Sequence, residues 1–172
     1  GVSLDPSEIY EASTVTCTPE GWADVDGDTE SYLYAWMLDG AAIAETGATL
    51  DGATFDKGNE VSCSVVPDDG DELGAEVFSA GSVVSNTAPT IAAVSLSTLT
   101  PGEADTITSA VSGALDEDGD SVTYQYAWYV DGVFVAATSE LSGSSFSKGQ
   151  QVSVEVSPFD GTDLGVAVTS DT

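Results

Sequence analysis

The sequence Tyr-Leu-Tyr-Ala-Trp-Met-Leu-Asp-Gly at positions 32–40 decides the fold expected for this chain. Its tyrosines, tryptophan and last leucine occupy every second position, a period typical of a β-strand with one buried face. The Asp-Gly pair that follows is a signal for a tight hairpin turn, because glycine readily adopts the positive φ that such turns need. The stretch therefore predicts a strand with Trp36 facing a core, followed by a β-hairpin.

The same pattern occurs a second time, shifted by 92 positions. Tyr-Gln-Tyr-Ala-Trp-Tyr-Val-Asp-Gly occupies positions 124–132, and its Gln125 indicates that the face opposite the tryptophan points outward. A period this long indicates two copies of one domain, because solenoid repeats run only about 20–50 residues. Asn-Thr-Ala-Pro-Thr at 86–90 marks the boundary, since proline cannot continue a sheet ladder. The predicted domains are residues 1–88 and 89–172.

Short β-rich runs separated by Gly, Ser, Thr and Asp fill the rest of each copy, and no segment shows a helical period. Seven short strands in under ninety residues predict an all-β fold in which each copy is a two-sheet β-sandwich. In the first copy the expected strands cover residues 2–5, 13–18, 31–38, 41–44, 48–55, 60–66 and 74–85.

The two cysteines sharpen this prediction. Cys17 lies on the strand before the tryptophan strand and Cys63 on the strand after it, both in the inward-facing phase. This Cys, Trp, Cys order is that of an immunoglobulin-like domain and predicts a Cys17–Cys63 disulfide. The second copy has Ser109 and Val154 in place of both cysteines together. Two buried free thiols are the alternative, whereas a disulfide indicates an oxidising compartment.

The chain resembles the tandem immunoglobulin-like repeats of large secreted bacterial surface proteins, which are related in style to PKD and cadherin-like repeats. The resemblance covers nearly the whole chain, twice, and implies an extracellular, cell-surface location with a repetitive structural or adhesive role. It rests on Asp-x-Asp-Gly-Asp, Tyr-x-Tyr-Ala-Trp-x-x-Asp-Gly, Phe-x-Lys-Gly and Pro-x-Asp-Gly in both copies, and on the Asn-Thr-Ala-Pro-Thr junction.

Composition excludes several classes of function. The chain has two lysines, no arginine, no histidine and 30 acidic residues, for a formal charge of −28. Such a field repels phosphate backbones, which excludes nucleic acid as a partner. No apolar run approaches the roughly 18–20 residues of a membrane span, so we expect no membrane insertion.

Without histidine, the commonest general base is missing, and we expect no enzyme. The acidity also suits a habitat of high ionic strength.

Carboxylates cluster in two loops of each copy. Asp24, Asp26 and Asp28 precede the tryptophan strand, and Asp69 and Asp71 follow the Cys63 strand. Both loops emerge at the same pole of an immunoglobulin-like sandwich, where like charges would repel without a cation. Calcium takes six to eight such oxygens, and these residues are therefore predicted Ca²⁺ ligands. A solvated acidic rim is the alternative. The matching candidates in the second copy are Asp116, Asp118, Asp120, Asp160 and Asp163, and the same geometry places them near the 86–90 junction.

These observations predict an extracellular structural or adhesive protein, namely a calcium-stabilised rod segment or a subunit of a bacterial cell-surface filament or adhesin stalk. Its expected partners are copies of itself or neighbouring repeats placed head-to-tail, with a surface glycan or protein receptor as a further candidate. We also expect the last strand of copy two to be short, leaving an edge that residues 2–4 of another subunit complete. The alternative function is a carbohydrate-binding or spacer module of a secreted enzyme, for which the outward candidates are Trp22, Met37 and Tyr129.

Overall fold

A computed structural model describes all 172 residues. The chain forms two compact units, Gly1–Asn86 and Thr87–Thr172, hereafter unit 1 and unit 2. This division falls two residues before the boundary expected from the sequence. The backbone N–H of Thr87 donates a hydrogen bond of 2.6 Å to Oδ2 of Asp118. The junction residue Thr87 is thereby attached to unit 2.

Unit 1 is a sandwich of two antiparallel sheets. One sheet has the order β1-β2-β5, and the other has the order β4-β3-β6-β7, with β8 also paired to β6. The strands are β1 Val2–Asp5, β2 Val15–Pro19, β3 Ser31–Leu38, β4 Ala41–Ala42, β5 Thr49–Leu50, β6 Glu60–Asp68, β7 Val77–Phe78 and β8 Ser82–Val83.

Unit 2 repeats this topology. Its sheets have the orders β13-β10-β9 and β12-β11-β14-β15, and every pairing is antiparallel. The all-β prediction of two tandem immunoglobulin-like sandwiches is confirmed. The strands are β9 Ala93–Leu96, β10 Thr106–Ser112, β11 Thr123–Val130, β12 Val133–Ala136, β13 Glu140–Ser142, β14 Val152–Phe159 and β15 Val168–Thr169.

Two of the predicted strands are wrong in extent. The expected strand 48–55 ends at Leu50, because Asp51 accepts the N–H of Ala53 and caps a short 3-10 turn, Gly52–Thr54. The expected strand 74–85 is divided into β7 and β8. Between β7 and β8, the backbone N–H of Cys63 donates a hydrogen bond to the side-chain hydroxyl of Ser79, with N and Oγ 3.0 Å apart. A side-chain oxygen thus replaces the backbone carbonyl that would accept this bond in a continuous sheet.

The last sheet strands of the two units differ, in agreement with the short final strand expected for copy two. Strand β15 is two residues long, like its counterpart β7, but unit 1 also pairs β8 with β6, and no strand of unit 2 corresponds to β8. Strand β1 is already paired with β2 along all four of its residues. Its donation to another subunit would therefore require β1 to leave its own sheet.

A buried tryptophan lies at the centre of each core. Trp36 and Trp128 are both 0% exposed. Each indole N–H keeps a hydrogen bond in the interior, from Trp36 to the carbonyl of Gly47 at 2.9 Å and from Trp128 to that of Thr138 at 2.7 Å. The prediction that the tryptophan face of this strand is buried is thus confirmed in both copies.

The predicted disulfide is present in unit 1. Cys17 and Cys63 are bonded, with their Cα atoms 6.2 Å apart, and both lie in the core. In unit 2 the matching Val154 is buried, whereas the hydroxyl oxygen of Ser109 is buried without a hydrogen-bond partner. The same fold therefore forms with and without the covalent link. None of the helical segments is long and apolar enough to cross a membrane.

Reduction of the disulfide is expected to destabilise unit 1 alone. The bond joins residues 46 positions apart, and closing a loop of that size stabilises by roughly 4 kcal/mol on the chain-entropy model. Hydrogen exchange followed by mass spectrometry should show faster exchange in β6 after reduction, with no change in β14. A Cys17→Ser/Cys63→Val variant, which carries the unit 2 residues, should not respond to reductant. Equal acceleration in both units would contradict this expectation.

Candidate metal centre

The Asp-Glu-Asp-Gly-Asp loop of unit 2 brings three carboxylates together. One oxygen from each of Asp116, Asp118 and Asp120 lies within 4.8 Å of the others. The loop reverses at Gly119, which has a φ of +75°, and Oδ1 of Asp116 accepts the N–H of Asp120 at 3.0 Å. Two oxygens on opposite sides of a calcium ion, each about 2.4 Å away, would be about 4.8 Å apart. The spread of the three oxygens therefore fits one cation.

Two oxygens of this cluster have no partner within the protein. Oδ2 of Asp116 and Oδ1 of Asp118 are buried from solvent and accept no hydrogen bond. Leaving a buried charged oxygen unpaired costs more than the roughly 1–3 kcal/mol of an unpaired neutral group, because both water and a donor are lost. A cation bound between the carboxylates would supply the missing partner. This observation favours a metal site over a solvated rim at this loop.

Thr87 is a further candidate ligand, which the sequence did not identify. Its N–H binds the second oxygen of Asp118, and its own hydroxyl oxygen is buried without a hydrogen-bond partner. A hydroxyl oxygen keeps two lone pairs with which it can accept a bond or coordinate a hard cation. The topology expected from the sequence places the acidic loops of copy two near the 86–90 junction, but it does not single out Thr87 as the residue that contacts Asp118, 31 positions away.

The other two candidates of unit 2 lie in a different turn. Oδ1 of Asp160 accepts the N–H groups of Thr162 and Asp163, at 2.6 and 2.7 Å. This carboxylate therefore stabilises its own loop. Neither Asp160 nor Asp163 belongs to the converging group of Asp116, Asp118 and Asp120.

In unit 1 the matching loop has a different geometry. Oδ1 of Asp24 accepts three backbone N–H groups, from Asp26, Gly27 and Asp28, at 2.9, 2.6 and 3.0 Å. Asp26 and Asp28 are exposed, and their oxygens do not converge with those of Asp24 as the unit 2 trio does. The same motif therefore forms a self-capped turn in unit 1 and an open cluster of carboxylates in unit 2.

The second acidic loop of unit 1 does approach the first. Asp24 and Asp69 line one open groove, in agreement with the common pole expected for their loops, whereas Asp71 is not part of its lining. Oδ1 of Asp69 accepts the N–H groups of Glu72 and Asp71, and these bonds lower the pKa of Asp69 below its ordinary value. Like Asp24, Asp69 is thus stabilised as an anion by its own backbone.

The candidate surface aromatics do not form a row. Trp22 contacts the ring of Tyr32 edge-on, with centroids 5.7 Å apart, in unit 1. Tyr129 contacts Phe134 in the same manner at 6.0 Å, in unit 2. Met37 faces Ala42 of β4 across the sheet. No single sheet face therefore combines these three residues.

Comparisons with known proteins concern the fold. No protein-family profile and no curated protein sequence matches the chain. It is similar to a segment of two fibronectin type III domains from chicken tenascin, with 11% identity, a TM-score of 0.49 and coverage of 98% of this chain and 95% of that one. A segment of a 1.5-MDa bacterial ice-binding adhesin has 18% identity and a TM-score of 0.43, and this chain covers 62% of it.

A third similar structure comprises three N-terminal domains of the bacteriophage RB49 highly immunogenic outer capsid protein. It has 16% identity and a TM-score of 0.42, and 58% of its length is covered. The chain thus spans less than two thirds of the adhesin and capsid segments. With identities of 11–18% and TM-scores below 0.5, these similarities carry no argument about the fold or the function of this chain.

Asp131, in the hairpin turn of unit 2, is expected to make the stability of this unit depend on pH. The backbone N–H of Gln151, and then the side chain of Gln150, donate to Asp131 and lower its pKa. A lowered pKa contributes stability that is complete above the unfolded value of about 3.9 and is lost as pH falls through the folded value. Asn at this position accepts the same N–H without titrating. The difference in unfolding free energy between wild type and Asp131→Asn should therefore change below about pH 4, in favour of the variant as pH falls.

Chemical denaturation at several pH values measures this difference directly. Taking the difference between wild type and variant also cancels the pH dependence contributed by the other carboxylates, because these titrate equally in both proteins. A difference that is independent of pH between about 2 and 6 would show that these hydrogen bonds do not stabilise the ionised turn.

Proposed function

We propose that this chain is an extracellular structural and adhesive module, a calcium-stabilised segment of a bacterial cell-surface stalk or filament. The observation that carries the calcium assignment is the converging trio of Asp116, Asp118 and Asp120, two of whose oxygens are buried without a partner. Calcium sites in extracellular modules bind weakly, with dissociation constants of about 10⁻⁴–10⁻³ M. A small set of carboxylates and one hydroxyl, with water in the remaining positions, is consistent with that range.

The disulfide and the repeated sandwich support the extracellular and structural parts of the proposal. Disulfides persist in oxidising environments and are rare in the cytosol, and Cys17 and Cys63 are bonded. Two sandwiches of one topology, each with its own hydrophobic core, are suited to a structural role. The partners we propose are copies of the chain or neighbouring repeats, arranged head-to-tail.

Calcium titration after chelation tests the proposal. An ion bound only by the folded state stabilises it by about 2.7 kcal/mol at one hundred times its dissociation constant. Millimolar calcium should therefore raise the melting temperature and slow hydrogen exchange in the 116–120 loop. Asp118→Asn should remove most of this effect, because a ligand charge is lost while an oxygen remains to accept the N–H of Thr87. Thr87→Val should weaken calcium binding less.

The first copy supplies the matched control. Asp26→Asn changes the corresponding motif position in unit 1, where the oxygens do not converge, and it should leave the calcium response nearly unchanged. Magnesium and sodium chloride at equal ionic strength separate a specific site from general screening. If calcium does no more than sodium chloride, the trio is a solvated rim. Electron microscopy in millimolar calcium tests the head-to-tail assembly independently of the ion site.

A further inference from the structure

The open groove of unit 1 that Asp24 and Asp69 line also contains residues outside the two acidic loops. Its volume is about 280 Å³, and its lining includes Trp22, Ala23, Tyr32, Pro67, Gly74 and Val77. Trp22 and Tyr32 are half-buried, whereas Ala23, Gly74 and Val77 are exposed. The groove thus combines aromatic, proline and glycine surface with four acidic residues, Glu20, Asp24, Asp69 and Glu72.

Unit 2 covers the matching surface with its own chain. Pro158 and Gly165 correspond to Pro67 and Gly74, and Pro89 lies directly on them. A Cβ atom added to Gly165 would be 1.7 Å from the carbonyl oxygen of Pro89. Pro89 and Pro158 are buried, whereas Pro67 is only half-buried. The segment 87–91 of unit 2 therefore occupies the position that is open in unit 1.

Backbone pairing also holds this segment in place. Thr90 and Leu115 form an antiparallel bridge in which each N–H donates to the other carbonyl, at 2.8 and 3.0 Å. Val2 pairs with Pro19 in unit 1 as Val94 pairs with Val111 in unit 2, so the two units correspond at an offset of 92 positions here. At this offset Ala23 is the counterpart of Leu115. Ala23 is exposed in the lining of the groove. An extended segment entering the groove could thus form the same two bonds with Ala23.

The chemistry of the groove selects the kind of segment. Gly74 has no side chain, which leaves room for a backbone to pass beside it. The atoms nearest to a Cβ built at this position belong to Pro67, at 3.2 Å. Trp22 replaces the small Ala114 of unit 2 and forms a wall with Tyr32. Aromatic-lined grooves commonly dock proline-containing segments. The segment 87–91 has no charged residue, and a segment like it would not be repelled by the four acidic residues of the lining, Glu20, Asp24, Asp69 and Glu72.

We propose that the groove of unit 1 binds an extended, uncharged, proline-containing segment equivalent to residues 87–91, supplied by the preceding repeat of a head-to-tail array. The segment pairs with the backbone of Ala23 and places its proline against Gly74 and Pro67. This assignment rests on the proposed head-to-tail arrangement and not on calcium. Its test is therefore run in the presence of a chelator, so that failure of the groove and failure of the ion site are distinguishable.

The deciding experiment attaches the segment to the protein. The sequence Thr-Ala-Pro-Thr-Ile-Ala, which precedes Ala93 in unit 2, is placed directly before Gly1, the residue that corresponds to Ala93. Tethering raises the effective concentration of the segment to the millimolar range. The extension should slow hydrogen exchange at Ala23 and Gly74 and raise the melting temperature of unit 1. The same extension with aspartate in place of proline is the matched control and should do neither.

A Gly74→Ala variant tests the mode of docking. In the free groove the added methyl group lies 3.2 Å from the Pro67 ring, which must shift slightly to accept it, but at the matched position of unit 2 it would overlap the Pro89 carbonyl. The variant should therefore keep the β3 and β6 amide spectrum of the wild type and lose the effect of the extension. A free peptide with the sequence of residues 85–92 should shift the same groove amides of the unextended protein at millimolar concentration.

The proposal is overturned if the extension leaves exchange and melting unchanged, or if the aspartate control is equally effective. It is also overturned if the groove amides of the unextended protein shift with protein concentration, since a second copy would then occupy the groove. Perturbation by lysine-rich peptides or oligosaccharides, with no effect of the extension, would assign the groove to another ligand class and likewise reject the proposal.

Discussion

The burial of one tryptophan between two sheets is the interaction on which each unit depends. Trp36 and Trp128 are completely enclosed, and each indole N–H finds a backbone carbonyl on the chain that crosses from one sheet to the other. Full burial of a side chain this large stabilises by several kcal/mol only if its polar atom is satisfied. The hairpin, the neighbouring strands and the carbonyl must therefore all be in register. Unit 2 achieves this without a disulfide, so the covalent link of unit 1 strengthens a core that the tryptophan already organises.

The second constraint is the charge. With 30 acidic residues and two lysines, ion pairs cannot neutralise the surface, and the loops use backbone N–H groups instead. Asp24, Asp69 and Asp160 each accept bonds from residues two to four positions further along the chain. Such turns satisfy a carboxylate locally and require no cation. The loop of Asp116 and Asp118 departs from this arrangement because two of its oxygens are turned inward without a donor.

The sequence predicted those parts of the fold in which the pattern repeats along the chain. Alternation defined β3 and β6 and their counterparts, and the Asp-Gly pairs marked hairpin turns in which Asp39 and Asp131 adopt φ values of 49° and 50°. The alternation of apolar and polar residues shows which face of a strand is buried, but it does not show where the hydrogen-bonded pairing of that strand ends. The division of 74–85 therefore escaped prediction, because it depends on a hydroxyl of Ser79 that bonds across the sheet. The topology placed the acidic loop of unit 2 near the 86–90 junction, but the particular bond from Thr87 to Asp118 joins residues 31 positions apart and has no local signal.

The two acidic loops also differ in this non-local contact, which only the loop of unit 2 forms. Both loops carry Asp-x-Asp-Gly-Asp, so the motif alone cannot explain why one caps itself and the other gathers its carboxylates. In unit 2 the segment 87–91 contacts the loop through Thr87 and fills the adjacent groove with Pro89. The segment donates to Asp118, whereas the carboxylate of Asp116, the counterpart of Asp24, keeps only the bond from Asp120 within its own turn. We infer that cation affinity in such a unit depends on the segment that precedes its first strand as much as on the aspartates. In unit 2, where the oxygens converge, segment docking and ion binding would then be coupled, since each orders the loop that the other requires.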